Sequence, residues 1–150
     1  METPRLSSLY QQLILEHYRN PRNKAEMDEK TVEIHMANPV CGDEIRLQLR
    51  IEGDQIAEAK FVGQGCSISQ AAISMMTAKI QGASLSDAEG LAERFTALMH
   101  GDTEVAKDRS LGDLRALQGV SKFPVRIKCA LIGFQALQEA LKKHAAEGPH

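Results

Sequence analysis

The spacing of apolar residues changes twice along this chain of 150 residues. Between residues 32 and 62, apolar and polar residues alternate, which is the pattern of β-strands that bury one face. On both sides of this region, apolar residues recur every three or four positions, as they do in amphipathic helices. The pattern predicts one helix, then three strands, then four helices. Strands and helices that are segregated in this way are typical of an α+β fold.

The alternating region divides into three strands. Residues 32–36 and 45–51 alternate strictly, and a third extended run covers 56–62 after the turn residues Gly53 and Asp54. We expect a three-stranded antiparallel sheet in which the first strand lies beside the hairpin of the other two. Because each strand has a single apolar face, helices are expected on one side of the sheet only.

The flanking regions predict helices of different lengths. The first helix begins at Ser7 or Ser8 and ends at Asn20, and the patternless charged residues 22–30 are predicted to be a linker. A long C-terminal helix is expected from Pro124 to about residue 144, with a disordered tail over 145–150. The length suits a single domain over residues 1–150. The other predicted helices cover 67–82, 84–101 and the short stretch 111–117.

Composition excludes several classes of function. Apolar residues make up 43% and charged residues 25%, and the net charge is -2, so nothing marks a nucleic-acid partner. No run approaches the roughly 18 apolar residues of a membrane span. The first residues lack an apolar signal core, so we expect a cytoplasmic protein with no membrane partner.

The chain has three cysteines, Cys41, Cys66 and Cys129, an odd number without a CxxC pair. That arrangement fits a disulfide framework poorly, and cytoplasmic thiols stay reduced. Each cysteine lies at a predicted element boundary, so the three can converge in a two-layer fold. Asp43 stands two positions after Cys41 and offers a carboxylate to the same site.

Each of these cysteines also has a plain structural interpretation. Cys41 could be an ordinary loop residue beside Gly42, and Cys66 and Cys129 could be small buried side chains. Together with Asp43, however, they supply three sulfurs and one oxygen. This donor set suits tetrahedral Zn²⁺, and the same residues could instead hold an iron–sulfur cluster. The five histidines and six methionines are interpreted as structural, solvated or core residues.

At these segments the chain resembles the U-type iron–sulfur assembly family, which includes IscU, SufU and the N-terminal domain of NifU. The matching segments are 9–23, 38–43, 63–69 and 124–129. IscU-type members carry a histidine before the third cysteine, where this chain has Lys128. The chaperone-binding segment of IscU is degraded here over residues 122–126, and residues 82–109 resemble the helical insertion of SufU-type members.

The resemblance to SufU-type members implies a SufE/NifU-like fold and a zinc-dependent sulfurtransferase of iron–sulfur cluster assembly. It implies Zn²⁺ held by Cys41, Asp43, Cys66 and Cys129. A pyridoxal phosphate-dependent cysteine desulfurase of the SufS type would deliver persulfide sulfur to Cys41, after one of its histidines takes over a zinc position. Arg126 would orient Asp43 or the incoming persulfide. The acceptor would be a downstream Suf scaffold or an apo-protein.

Two other hypotheses stay open. The same ligands could make the protein a non-enzymatic scaffold that binds iron, assembles a transient [2Fe–2S] cluster and passes it on. The protein could also be a small interaction module that zinc merely stabilises. The residues do not decide between the metals, and they do not set the oligomeric state.

Overall fold

Three strands form one antiparallel sheet in the structure, a computed structural model that describes residues 8–40 and 42–147. The spatial order of the strands is the order in the sequence, and the predicted α+β fold is confirmed. None of the helices in this described part of the chain is both long and apolar enough to cross a membrane. In chain order the elements are α1 (Ser8–Arg19), β1 (Val32–Asn38), β2 (Asp43–Glu52), β3 (Gln55–Gln64), α2 (Ser67–Ile80), α3 (Leu85–Met99), two 3₁₀ segments (Val105–Lys107 and Arg109–Lys122) and α4 (Pro124–Ala146).

The core lies between the sheet and the helices. The apolar residues that alternate along β2 are buried, as the strand pattern predicted, and helices α2 and α4 pack against each other over them. Phe95 of α3 stacks on Phe134 of α4, with ring centroids 4.5 Å apart and planes 22° from parallel. This pair joins the helical layer to the element that carries the third cysteine.

Residues 20–31, which we call the strap, connect α1 to β1 and run across the sheet without forming a helix or a strand. The residues predicted as a linker, 22–30, are therefore a connection, but several of them are bonded to the sheet and to α2. Met27 is buried on the sheet face opposite the helices, where its backbone N–H donates to Gln48 Oε1 at 2.8 Å. Lys24 Nζ donates to Gln70 Oε1 at 3.0 Å, which ties the strap to α2. The sequence shows no period here because the strap is held by single contacts rather than by a repeating face.

The outer edge of β3 is closed by hydrogen bonds from outside the sheet. Phe61 N–H donates to the carbonyl of Asn23 in the strap at 3.0 Å. Ile56 N–H donates to the carbonyl of Ala83 at 2.8 Å, and Ala59 N–H donates to Gln81 Oε1 at 3.1 Å. The strap and the α2–α3 connection therefore satisfy the donors that an edge strand normally exposes.

The segment predicted as a short helix over 111–117 is longer than predicted, and its turns are tighter than those of an α-helix. It has 3₁₀ geometry over Arg109–Lys122, and Gly112 interrupts it at φ 57° and ψ -131°. Its N-terminus is capped by Asp108, whose side chain accepts from Ser110 N–H at 2.9 Å. Hydrogen bonds from Ser110 and then Arg94 lower the pKa of Asp108 to about 2. A run of 3₁₀ this long is uncommon, and the glycine break explains how it is accommodated.

His17 is buried at the junction of α1, α2 and the long 3₁₀ segment, in a serine–histidine–aspartate chain that could be mistaken for a catalytic triad. Its Nδ1 lies 2.8 Å from Ser74 Oγ and its Nε2 lies 3.0 Å from Asp113 Oδ2. Ser74 is fully buried in the middle of α2, and its Oγ already accepts from Arg22 N–H at 2.8 Å. No substrate can reach this hydroxyl, so the contacts are structural, as the sequence predicted for His17.

The stacked pair allows a direct test of the helical layer. We expect Phe95→Ala to lower the free energy of unfolding by about 3–5 kcal/mol, because a large buried side chain is lost and a cavity is left. The matched control is Phe123→Ala, since Phe123 is 54% exposed and should contribute little. Urea denaturation followed by circular dichroism measures both. Equal effects of the two substitutions would contradict this description of the core.

Candidate metal centre

Cys66 lies between the end of β3 and the start of α2. It is the N-cap residue of α2, with extended backbone angles of φ -72° and ψ 169°. Its Sγ accepts from the backbone N–H of Ser69 at 3.5 Å. The sulfur therefore lies at the N-terminus of α2, beside backbone N–H groups of the first turn. The predicted boundary placement of this cysteine is therefore what the structure shows.

Asp43 is the first residue of β2, and its side chain points into the protein with only 1% of its surface exposed. Its Oδ1 accepts from the backbone N–H of Cys66 at 3.0 Å and from Ser69 Oγ at 3.0 Å. Its Oδ2 is buried and has no hydrogen-bond partner among the residues that the structure describes. A buried carboxylate oxygen without a donor is costly, which makes this oxygen a candidate metal-binding atom.

Cys129 lies one turn and a half into α4 and is 3% exposed. Its Sγ lies 3.8 Å from the carbonyl oxygen of Val125 in the preceding turn. Helix α4 packs against both α2 and β1, and this packing brings Cys129 to the end of the molecule where β2 and α2 begin. The boundary between β3 and α2 and the first turns of α4 thus lie close together.

Asp43, Cys66 and Cys129 form what we call the Asp–Cys–Cys cluster. One ligand atom from each residue lies within 4.8 Å of the other two. A tetrahedral zinc ion with Zn–S bonds of about 2.3 Å holds its sulfurs about 3.8 Å apart, so a small contraction would bring the three atoms to bonding distance. Two sulfurs and a carboxylate oxygen that lacks a donor fit a metal ion, and their role as ligands stays a prediction.

Cys41, the predicted reactive thiol, lies outside the described residues. It belongs to the four-residue connection between β1 and β2, in which Val40 and Gly42 are described. Val40 is 73% exposed, and its N–H donates to Asn38 Oδ1 at 3.2 Å. Gly42 has φ 72°, a left-handed angle that favours glycine, and it leads directly into Asp43. The assignment of Cys41 as a ligand therefore stays a prediction.

Arg126 and Lys128 are exposed in the first turns of α4. No hydrogen bond or ion pair joins the Arg126 guanidinium to any side chain within residues 8–40 and 42–147. The resemblance to SufU-type members implies that Arg126 orients Asp43 or an incoming persulfide, and this role stays a prediction. The hydrogen bonds that the structure gives Asp43 come from Cys66 and Ser69.

Ser69 and Gly65 are site residues that sequence reasoning missed. Both lie in the segment 63–69 that carries the second cysteine, but a serine and a glycine near a helix start are so common that their types gave no signal. An added Cβ at Gly65 would lie 2.4 Å from Asp43 Oδ1 and 2.5 Å from Ser69 Oγ. Only a residue without a side chain leaves room for the buried carboxylate.

Two relatives align with almost the whole of this chain. A relative from Bacillus subtilis (strain 168), named zinc-dependent sulfurtransferase SufU, is 47% identical over 138 residues, which are 92% of this chain and 92% of the relative. A relative from Streptococcus pyogenes serotype M1, named iron–sulfur cluster assembly scaffold protein IscU, is 37% identical and aligns with 97% of this chain and 90% of its own length.

A solved structure and a family model extend the comparison. The crystal structure of a putative iron–sulfur cluster assembly scaffold protein for the SUF system from Fervidobacterium islandicum AW-1 superposes with a TM-score of 0.78. It is 29% identical and covers 86% of this chain and 93% of its own. The model of the NifU-like N terminal domain matches residues 9–130. The chain therefore belongs to the family of NifU-like N-terminal domains, to which the IscU and SufU proteins are similar.

Proposed function

We propose that this protein is a zinc-dependent sulfurtransferase of iron–sulfur cluster assembly that accepts sulfur on Cys41. The single observation that carries the proposal is the Asp–Cys–Cys cluster, in which a buried carboxylate oxygen faces no donor among the described residues. The similarity to a protein named zinc-dependent sulfurtransferase supports zinc as the metal. The need to keep its thiols reduced supports a cytoplasmic location.

The ligands would be Asp43 through Oδ2, Cys66, Cys129 and, as the fourth, Cys41, which stands two positions before Asp43. Three sulfurs and one oxygen are a normal donor set for four-coordinate zinc. When bound, zinc keeps its cysteine ligands deprotonated at neutral pH. Cys66 and Cys129 are held by helices at fixed positions, whereas Cys41 belongs to a short connection.

The transfer itself needs no oxidant or reductant. The Cys41 thiolate attacks the terminal sulfur of a protein persulfide on a cysteine desulfurase. A new S–S bond forms at Cys41 as the donor's S–S bond breaks, and the donor cysteine leaves as a thiolate. Arg126 and Lys128 are exposed cations beside the third cysteine, and they would attract the anionic persulfide. The sulfur then passes to a downstream Suf scaffold or an apo-protein.

A second candidate function is a scaffold that assembles a [2Fe–2S] cluster on the same residues. The specific observation in its favour is the 37% identity to a relative named as such a scaffold. Cysteine and carboxylate ligands can hold iron as well as zinc, so the donor set alone does not separate the two functions.

Removing the predicted acceptor thiol should abolish sulfur transfer. We expect Cys41→Ala to accept no labelled sulfur from a persulfidated cysteine desulfurase, because Cys66 is the N-cap of α2 and Cys129 is buried in α4. Mass spectrometry of the protein after incubation with the desulfurase and labelled cysteine measures the added sulfur. Val62→Ala, on the sheet face, is the control and should behave like wild type. Labelling of Cys41→Ala at the wild-type rate would contradict the proposal.

Zinc should stabilise the fold through Asp43. At a free zinc concentration about 100 times its dissociation constant, ligand binding adds about 2.7 kcal/mol to the free energy of unfolding. We expect Asp43→Ala to lose most of this increment. The control is Asp54→Ala, which removes an exposed carboxylate and should keep the increment. Thermal unfolding with and without Zn²⁺ gives both values. If Asp43→Ala keeps the full zinc increment, Asp43 is not a ligand.

The scaffold alternative has its own test. Anaerobic reconstitution with iron and sulfide should give only a weakly held cluster if the protein is a sulfurtransferase, and the cluster should not pass to an apo-ferredoxin faster than free iron and sulfide do. Visible absorption and circular dichroism follow both steps. Rapid, stoichiometric transfer would favour the scaffold over the sulfurtransferase.

A further inference from the structure

Ser69 touches two members of the Asp–Cys–Cys cluster at once. It is the third residue of α2 and is fully buried. Its backbone N–H donates to Cys66 Sγ at 3.5 Å, and its hydroxyl lies 3.0 Å from Asp43 Oδ1. A single residue therefore supports one sulfur through its main chain and one carboxylate through its side chain.

The hydroxyl proton of Ser69 has two possible acceptors, and the carboxylate is the better one. Ser69 Oγ also lies 3.1 Å from the carbonyl oxygen of Cys66. That carbonyl already accepts from the backbone N–H of Gln70 at 3.1 Å. A hydrogen bond to an ionised carboxylate is about twice as strong as one between neutral groups. The proton is therefore directed to Asp43 Oδ1.

Together these contacts fully occupy one oxygen of Asp43. Oδ1 accepts from Cys66 N–H and from Ser69, both at 3.0 Å, while Oδ2 accepts from no described residue. Gly65 leaves the space that this arrangement needs, since a Cβ there would lie 2.4 Å from Oδ1. The carboxylate cannot rotate to present both oxygens to one ion without breaking these hydrogen bonds.

We propose that Ser69, with the space left by Gly65, is a positioning residue that restricts Asp43 to a single metal-bound oxygen and sets how fast the metal leaves. The inference rests on one part of the proposed function, namely that Asp43 is a metal ligand. Donors that hold the far oxygen of a ligating carboxylate fix its orientation, and losing one typically costs 10–100-fold in metal affinity. Ser69 would thus control retention of the metal without touching it.

The test compares two serine-to-alanine substitutions in the full chain loaded with Zn²⁺. Release of zinc to a colorimetric chelator in excess is followed by absorbance. We expect Ser69→Ala to release zinc about tenfold faster or more. The matched control is Ser67→Ala, the same change two positions earlier at a serine that is only partly buried. This variant should release zinc at the wild-type rate. Equal release rates for the two variants would overturn the inference.

Two further variants separate positioning from packing. Ser69→Thr keeps a hydroxyl, so its release rate should be closer to wild type than to Ser69→Ala. Gly65→Ala keeps the serine but pushes a methyl group onto Asp43 Oδ1, so it should release zinc faster than wild type. The visible spectrum of bound Co²⁺ should change in Ser69→Ala and stay unchanged in Ser67→Ala, because only the former alters the carboxylate ligand.

Thermal unfolding of the metal-free variants excludes a merely structural role. If Ser69→Ala lowers the unfolding temperature of the metal-free and zinc-loaded protein equally, and zinc release is unchanged, the serine only packs and the inference is wrong. A wild-type chain that binds no Zn²⁺ would overturn the inference and the proposed metal together. Normal zinc retention without sulfur transfer to Cys41 would overturn the proposed function alone.

Discussion

The hydrogen bond from Cys66 N–H to Asp43 Oδ1 joins the first residue of β2 to the N-cap of α2. The two residues are far apart in sequence, and their contact fixes where the sheet ends relative to the helical layer. Because α4 packs on α2 and β1, Cys129 reaches the same point. The cluster is therefore a consequence of how strand and helix ends meet, and it does not depend on a dedicated loop.

Most of the fold follows from periodicity, and the exceptions have physical reasons. The apolar residues that alternate along the strands of residues 32–62 are largely buried, and so are the apolar residues in the middle of α4, so their patterns predicted these elements. The predicted family resemblance is confirmed. The strap did not show a pattern because its contacts are single polar links, such as Met27 N–H to Gln48. The long 3₁₀ segment was predicted only in part, since tight turns and a break at Gly112 leave no 3.6-residue repeat.

The sequence predicted the candidate ligands of the site but not the residues that hold those ligands in place. Cysteine and aspartate types at element boundaries pointed to Asp43, Cys66 and Cys129, and the structure brings these three together. Ser69 could not be found because its role depends on a distance across the fold, 26 positions from Asp43. Arg126 was predicted from resemblance, and its guanidinium makes no hydrogen bond or ion pair with a side chain among residues 8–40 and 42–147, so its role stays a prediction. Cys41 lies outside the described residues, so its part in the site stays a prediction.

The closed outer edge of β3 has a consequence for how this protein meets others. An open edge strand invites a second chain to add a strand, and this is a common route to aggregation. Here the main-chain donors of Ile56, Ala59 and Phe61 are already taken by the α2–α3 connection and the strap. Strand addition along β3 is therefore blocked, and a second chain that docks at this edge would have to do so through side-chain contacts.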